Sequence, residues 1–136
     1  MKKFVLIDDD PLFGNILTRF ANARGAEVDY FESPLELESR RAAARYDAAI
    51  VDYDLGTTTG IDIAEHLQVL FGDIPMVLVS SELRDRSVPR TWPATIKRFV
   101  SKQAGFDAIL SATLACLPGN DAGPACPTRE SMAWTG

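Results

Sequence analysis

Histidine and cysteine are scarce: His66, Cys116 and Cys126 are all the chain has in 136 residues. They share no metal-ligand spacing and no disulfide framework, which excludes a site built on soft ligands; in a reducing compartment both thiols are expected to stay reduced and incidental. A basic surface is missing as well. The 14 Lys and Arg form no long run and are outnumbered by 19 Asp and Glu, for a formal charge of −5, so the clustered phosphate contacts of direct nucleic-acid binding are excluded. No apolar stretch approaches the roughly 20 residues that cross a bilayer. Lys2 and Lys3 begin like a signal peptide, but the apolar run Phe4 to Ile7 gives way at once to Asp8, Asp9 and Asp10, well short of an h-region. The expectation is a soluble, cytoplasmic protein with neither membrane nor nucleic acid as partner.

What is present is a globular composition, 46% hydrophobic and 24% charged, at a length that supports one domain around one core. Lys3 to Ile7 reads as a strand. The pattern then changes period, with Leu12, Phe13, Ile16, Leu17, Phe20 and Ala21 at helical spacing up to Gly25. Glu27 to Phe31 is a second strand, and Ser33, Pro34 and Glu36 supply an N-cap, a first-turn proline and a capping-box partner for a helix through about Arg45. Ala48 to Val51 runs into Asp52 as a third strand, Gly60 marks the approach to a helix with the stripe Ile63, Ala64, Leu67, Leu70 and Phe71, and Met76 to Val79 is a fourth strand. Ile96 to Ser101 is a fifth, followed by a last helix carrying Phe106, Ile109, Leu110, Thr113, Leu114 and Leu117. Pro89 and Pro93 fall where a fourth helix belongs, so that helix is expected to be short, broken or absent. From Pro118, three prolines and three glycines in 19 residues predict a flexible tail over 118–136.

Strands alternating with helices predict an α/β fold, a doubly wound five-stranded parallel sheet covered on both faces. Such sheets hold their ligands beyond the carboxyl ends of the strands. There stand Asp8, Asp9 and Asp10 after the first strand, Asp52 and Asp54 after the third, Ser80 after the fourth and Lys102 after the fifth. Carboxylates gathered in a small volume raise one another's pKa or recruit a cation. Oxygen ligands without His or Cys suit Mg²⁺, with Mn²⁺ as its substitute, and Mg²⁺ usually shares its shell with a phosphate. Ser80 and Lys102 can serve two phosphoryl oxygens, and Asp52, on the central strand, is the best-placed nucleophile, giving an acyl phosphate.

The run FVLIDDDP, the segment IVDYDLGTTTG with Gly60 eight residues after Asp52, and the segments IPMVLVSS and RFVSK resemble the receiver domains of two-component response regulators, of the stand-alone CheY-like kind. The resemblance spans nearly residues 1–117. It implies a flavodoxin-like (βα)5 fold with strand order 2-1-3-4-5. By this similarity Asp8 and Asp9 match the metal-binding acid pair, Asp52 the phosphorylated aspartate and further metal ligand, and the Asp54 backbone carbonyl the third protein ligand. Ser80 matches the Ser/Thr of the switch, Phe99 the switch aromatic and Lys102 the lysine. Asp10, at the head of a helix, is expected to cap it. Acidic Asp54 and Glu82 occupy positions that tune phosphoryl lifetime in the family, or are solvated loop charge.

Gln103 stands where receivers usually have a proline preceded by a cis bond; before a non-proline residue the trans form wins by roughly 3 kcal/mol. Gly56 replaces the usual loop proline, with Thr57 to Thr59 following, and predicts a more flexible loop. The proline-containing segment 84–95 falls on the face of fourth helix, fifth strand and fifth helix through which the family commonly dimerises or meets partners, and leaves open whether this chain uses that face in the family's way. His66 reads as a surface or boundary residue, and Trp92 and Trp134 as candidate partner surfaces.

Three functions are compatible with these residues. The first is a phosphorylation-dependent signalling switch, a non-enzyme apart from autocatalysed chemistry at Asp52. It would be supplied by a histidine kinase or phosphotransfer protein, and would act on an unidentified downstream protein or through a homodimer. The second is a degenerate receiver that binds partners without phosphate. The third is a haloacid-dehalogenase-like phosphatase, which the Asp52-Tyr53-Asp54 triplet resembles, although its motif usually lies on the first strand. A flavodoxin-type flavin site is disfavoured by carboxylates where the phosphate loop needs Ser, Thr and Gly.

Overall fold

The computed structural model describes residues 1–40, 45–55, 58–81, 88 and 90–118. In chain order they form β1 (Lys2–Ile7), α1 (Pro11–Ala23), β2 (Ala26–Phe31), α2 (Pro34–Arg40), β3 (Ala48–Asp52), α3 (Gly60–Phe71), β4 (Met76–Ser80), β5 (Ile96–Ser101), a 3-10 turn (Lys102–Ala104) and α4 (Phe106–Ala115). The five strands make one sheet in the order β2-β1-β3-β4-β5, parallel throughout. Fold class and strand order are therefore as expected. Among the described residues no helix is long and apolar enough to cross a membrane.

The strands are apolar at successive positions because both faces are covered. Phe4 and Leu6 of β1 join Leu17 of α1 and Ile109 of α4 in one core layer, while Val5 and Ile7 join Leu37, Ile63, Leu67 and Phe99 in the other. Helix starts follow local chemistry. Asp10 accepts from the Leu12 and Phe13 N–H groups, the capping role its position suggests. Ser33 Oγ accepts from Glu36 N, while the Glu36 carboxylate reaches the Glu32 N–H, one residue before the expected box partner. Thr59 caps α3 through Asp62 N.

Some boundaries differ from the sequence reading. The second helix is described to Arg40, residues 41–44 lie outside the description, and Arg45 is not helical. Buried Tyr46 draws the chain toward β3, its hydroxyl donating to Asp29 at 2.8 Å and its ring meeting Phe71 edge-on. The last helix ends at Ala115, and a tight turn still buries Leu117. Between β4 and β5 none of the described residues is helical; 82–87 and 89, with Glu82 and Pro89, lie outside the description, as does the expected tail from 119 onward with Cys126, Met132 and Trp134. Trp92 is half-buried, stacked on Tyr53 and tilted against Phe99. His66 is half-buried on α3. Cys116 is disulfide-bonded, which corrects the expectation that its thiol stays reduced.

Gly56 predicts a flexible loop after Asp52. Its described part is a short antiparallel pair, Asp54 opposite Thr59 and Leu55 opposite Thr58, while Gly56 and Thr57, on which that expectation falls, lie outside the description. The pair returns the chain to Gly60, whose N–H donates to the Tyr53 carbonyl at 2.7 Å. A Cβ on Gly60 would lie 2.8 Å from Tyr53 Cα and 3.0 Å from the Asp52 carbonyl oxygen, both backbone atoms. Backbone at a strand end cannot yield as a side-chain tip can. Gly60→Ala is therefore expected to cost about 1–3 kcal/mol, read as a fall in the urea midpoint at unchanged m-value.

Candidate functional site

Strand register assembles the site. Ile7 pairs with Val51, so the next residues, Asp8 and Asp52, stand side by side at the ends of β1 and β3. Asp52 in turn pairs with Val79, the residue before Ser80, and Ser80 pairs with Ser101, the residue before Lys102. Four neighbouring strands thus deliver Asp8, Asp52, Ser80 and Lys102 to one edge, because each apolar run stops at nearly the same level. Ser101 Oγ accepts from Gln103 N at 3.0 Å and starts the 3-10 turn that carries Lys102. No cis peptide bond occurs among the described residues, in keeping with Gln103 in place of proline.

Asp8 is wholly buried, and Asp52 and Ser80 are buried beside it. Lys102 Nζ lies 2.8 Å from Asp8 Oδ2 and 3.8 Å from Asp52 Oδ2. Its ammonium also sits over the Phe13 ring, 4.4 Å from the centroid, a cation–π contact that helps keep it over the cluster. Asp10 N donates to Asp8 Oδ1 at 2.9 Å and Asp54 N to Asp52 Oδ1 at 3.3 Å. Asp9 is exposed at the rim. One carboxylate oxygen from each of Asp8, Asp9 and Asp52 lies within 4.8 Å of the others.

This grouping is short of positive charge. Burial pushes the Asp52 carboxyl up to about 7, the Asp8 carboxylate adds to the rise, and Lys102 and the Asp54 N–H only partly offset it. Burial likewise raises Asp8, against the Lys102 and Asp10 hydrogen bonds. The three carboxylates, two of them paired with one ammonium, form an oxygen-only donor set whose remaining charge a hard divalent cation would neutralise. The cluster is compatible with a divalent metal site, and its residues fit Mg²⁺ by donor type and spacing.

The remaining candidates sit further out. Asp54 is exposed and meets Asp52 through its backbone N–H. Phe99 is buried, its ring 5.2 Å from Tyr53 and 5.8 Å from Trp92, inside the second core layer. Two contributors escaped the sequence reading. Phe13 was visible only as part of a helical stripe. Tyr30 donates from its hydroxyl to the Asp8 carbonyl at 2.7 Å, and burial, then the charges of Glu32, Asp8, Asp10 and Glu36, raise its phenol above the ordinary range. The available signal was Gly14, an isolated glycine inside a helical pattern, which usually has a packing reason.

The family model of the response regulator receiver domain matches residues 4–114. Among curated proteins, the acid tolerance regulatory protein ActR of Sinorhizobium medicae (strain WSM419) is 26% identical over 113 residues, 83% of this chain and 58% of that protein. The chain thus spans little more than half the length of that relative. Among solved structures, a response regulator from Burkholderia pseudomallei with a phosphorylated aspartic acid, calcium ion and citrate has a TM-score of 0.66 at 23% identity, over 88% of this chain and 68% of that one. TrrA from Thermotoga maritima with Mg²⁺-BeF has a TM-score of 0.66 at 23% identity, covering 82% and 95%. In complex with the histidine kinase ThkA, TrrA has a TM-score of 0.62 at 20% identity, covering 82% and 94%. At these identities the structural likenesses show the fold, and the family match adds descent: the chain belongs to the response regulator receiver domain family of two-component signal transduction.

Proposed function

We propose that residues 1–117 form a phosphorylation-dependent signalling switch in which Asp52 accepts a phosphoryl group from a histidine kinase or phosphotransfer protein. The observation that carries this reading is the Asp8–Asp52–Lys102 cluster, two buried carboxylates held against one ammonium, with the Asp9 carboxylate beside them at the rim. The Mg²⁺-BeF complex of TrrA and its complex with a histidine kinase support it by family.

In the proposed reaction an Asp52 carboxylate oxygen attacks phosphorus, an O–P bond forms, and the P–N bond of the donor imidazole breaks with its electron pair returning to nitrogen. Asp8, Asp9, Asp52 and the Asp54 carbonyl would hold Mg²⁺, which supplies charge neutralisation for the incoming phosphoryl group. Lys102 provides the ammonium that remains paired when the carboxylate becomes an acyl phosphate. Ser80, one residue beyond the neighbour of Asp52, is the hydroxyl placed to follow the new charge, with Phe99 as its aromatic partner in switching. The family is a signalling module, and autocatalysed phosphorylation and dephosphorylation are the only chemistry we assign. The output is a changed binding face for a downstream protein, and the cytoplasm, where kinases present their phosphohistidine, is the compartment that suits it.

Incubation with acetyl phosphate and Mg²⁺ is expected to give one phosphoryl adduct by intact mass, which EDTA prevents. Metal binding without any adduct would instead favour a receiver that acts independently of phosphate.

A further inference from the structure

We propose that Tyr30 is a positioning residue for the metal-binding turn, a role that rests on the reading of Asp8 and Asp9 as metal ligands. The β1–β2 ladder ends at Ile7 opposite Phe31, and its last backbone bond runs from Asp8 N to Phe31 O at 3.1 Å. Beyond it the Asp8 carbonyl has passed the end of the ladder, and a buried carbonyl needs a donor. The Tyr30 hydroxyl supplies one at 2.7 Å, fixing the peptide plane between Asp8 and Asp9.

That plane matters most for Asp9. Asp8 is already held by burial, by Lys102 and by the Asp10 N–H, and Asp52 by its place in β3. Asp9 is exposed, so its carboxylate is placed chiefly by the backbone that Tyr30 anchors.

An independent observation joins a second residue to the device. Gly14 lies in the interior of α1, where glycine is otherwise unfavourable. A Cβ there would run into Cε1, Cζ and Cδ1 of the Tyr30 ring. The missing side chain is the space through which the phenol reaches the turn, so the two positions form one unit.

The test is calorimetric titration of the full chain with Mg²⁺ alone, alongside thermal melts without metal. Tyr30→Phe keeps the ring and removes only the hydroxyl; it is expected to weaken Mg²⁺ binding about fivefold, the order that one hydrogen bond sets, and to lower the melt by the few degrees that one unpaired carbonyl costs. Gly14→Ala is expected to weaken Mg²⁺ binding at least as much, and Gly14→Ala with Tyr30→Leu to recover the melt while binding stays weak. Unchanged Mg²⁺ affinity in Tyr30→Phe, beside normal binding by the unmodified chain, overturns the inference and leaves the proposed function standing. Absence of Mg²⁺ binding in the unmodified chain is a different outcome that overturns both.

Discussion

Lys102→Met is expected to destabilise the metal-free protein by about 3 kcal/mol at pH 8, at the lower end of what removing one partner of a buried ion pair costs. Lys102 is the cation within 4 Å of both Asp8 and Asp52, and its loss leaves two buried carboxylates facing each other. Met retains most of the side-chain length and apolar volume, so the packing of the largely buried stem survives the change while the ammonium over Phe13 is lost. If that packing were the main contribution of Lys102, the substitution would be nearly neutral in urea titrations. The charge account makes two further demands. The loss should shrink at pH 5, where carboxyls with raised pKa take up protons, and saturating Mg²⁺ should stabilise Lys102→Met more than the unmodified chain, because the metal then supplies the missing charge.

Asp52→Asn should act in the opposite direction. The Asp52 carboxyl is raised from 3.8 to about 7 by folding, so between these values the folded chain binds more protons than the unfolded one. Stability then falls as pH rises through that window, and the destabilisation is complete above about pH 7. Asparagine has similar volume and no charge to bury. Without metal, Asp52→Asn is expected to gain up to about 4 kcal/mol at pH 8, at roughly 1.4 kcal/mol for each tenfold change in proton affinity, and nothing near pH 4. Equal stability of the two proteins across pH 4–8 would show that burial places no such penalty on Asp52. A buried carboxylate whose charge opposes folding in the absence of a cation is the kind of group for which stability is traded against function.

The acidic and basic members of this site were legible in the sequence because a parallel sheet converts order along the chain into proximity. Each apolar run ends at nearly the same level, so Asp8, Asp52, Ser80 and Lys102 could be placed by their strands alone. Asp10 was legible for a local reason, the cap geometry at the head of α1. Phe13 and Tyr30 were not, because their contacts join elements whose relative rotation no periodicity specifies: a helix residue over a lysine from β5's end, and a β2 phenol reaching past α1. Gly14 marked the place without saying what filled it. The short antiparallel pair after Asp52 is not legible in the sequence, because Gly56 signals only backbone freedom, while Asp54 and Thr59 pair on either side of it. Between β4 and β5 the described residues are not helical, and most of the segment where a fourth helix is in question lies outside them; Trp92, read as a candidate partner surface, is half-buried against Tyr53 and Phe99.

The identity of the acceptor is tested most directly by chemical trapping. After reaction with acetyl phosphate and Mg²⁺, borohydride reduction converts an aspartyl phosphate to homoserine, and peptide mass mapping then locates it. Homoserine at position 52, absent when Mg²⁺ is withheld, is the predicted result. An adduct that maps to Asp8, Asp9 or Asp54, with Asp52 unmodified, would contradict the account.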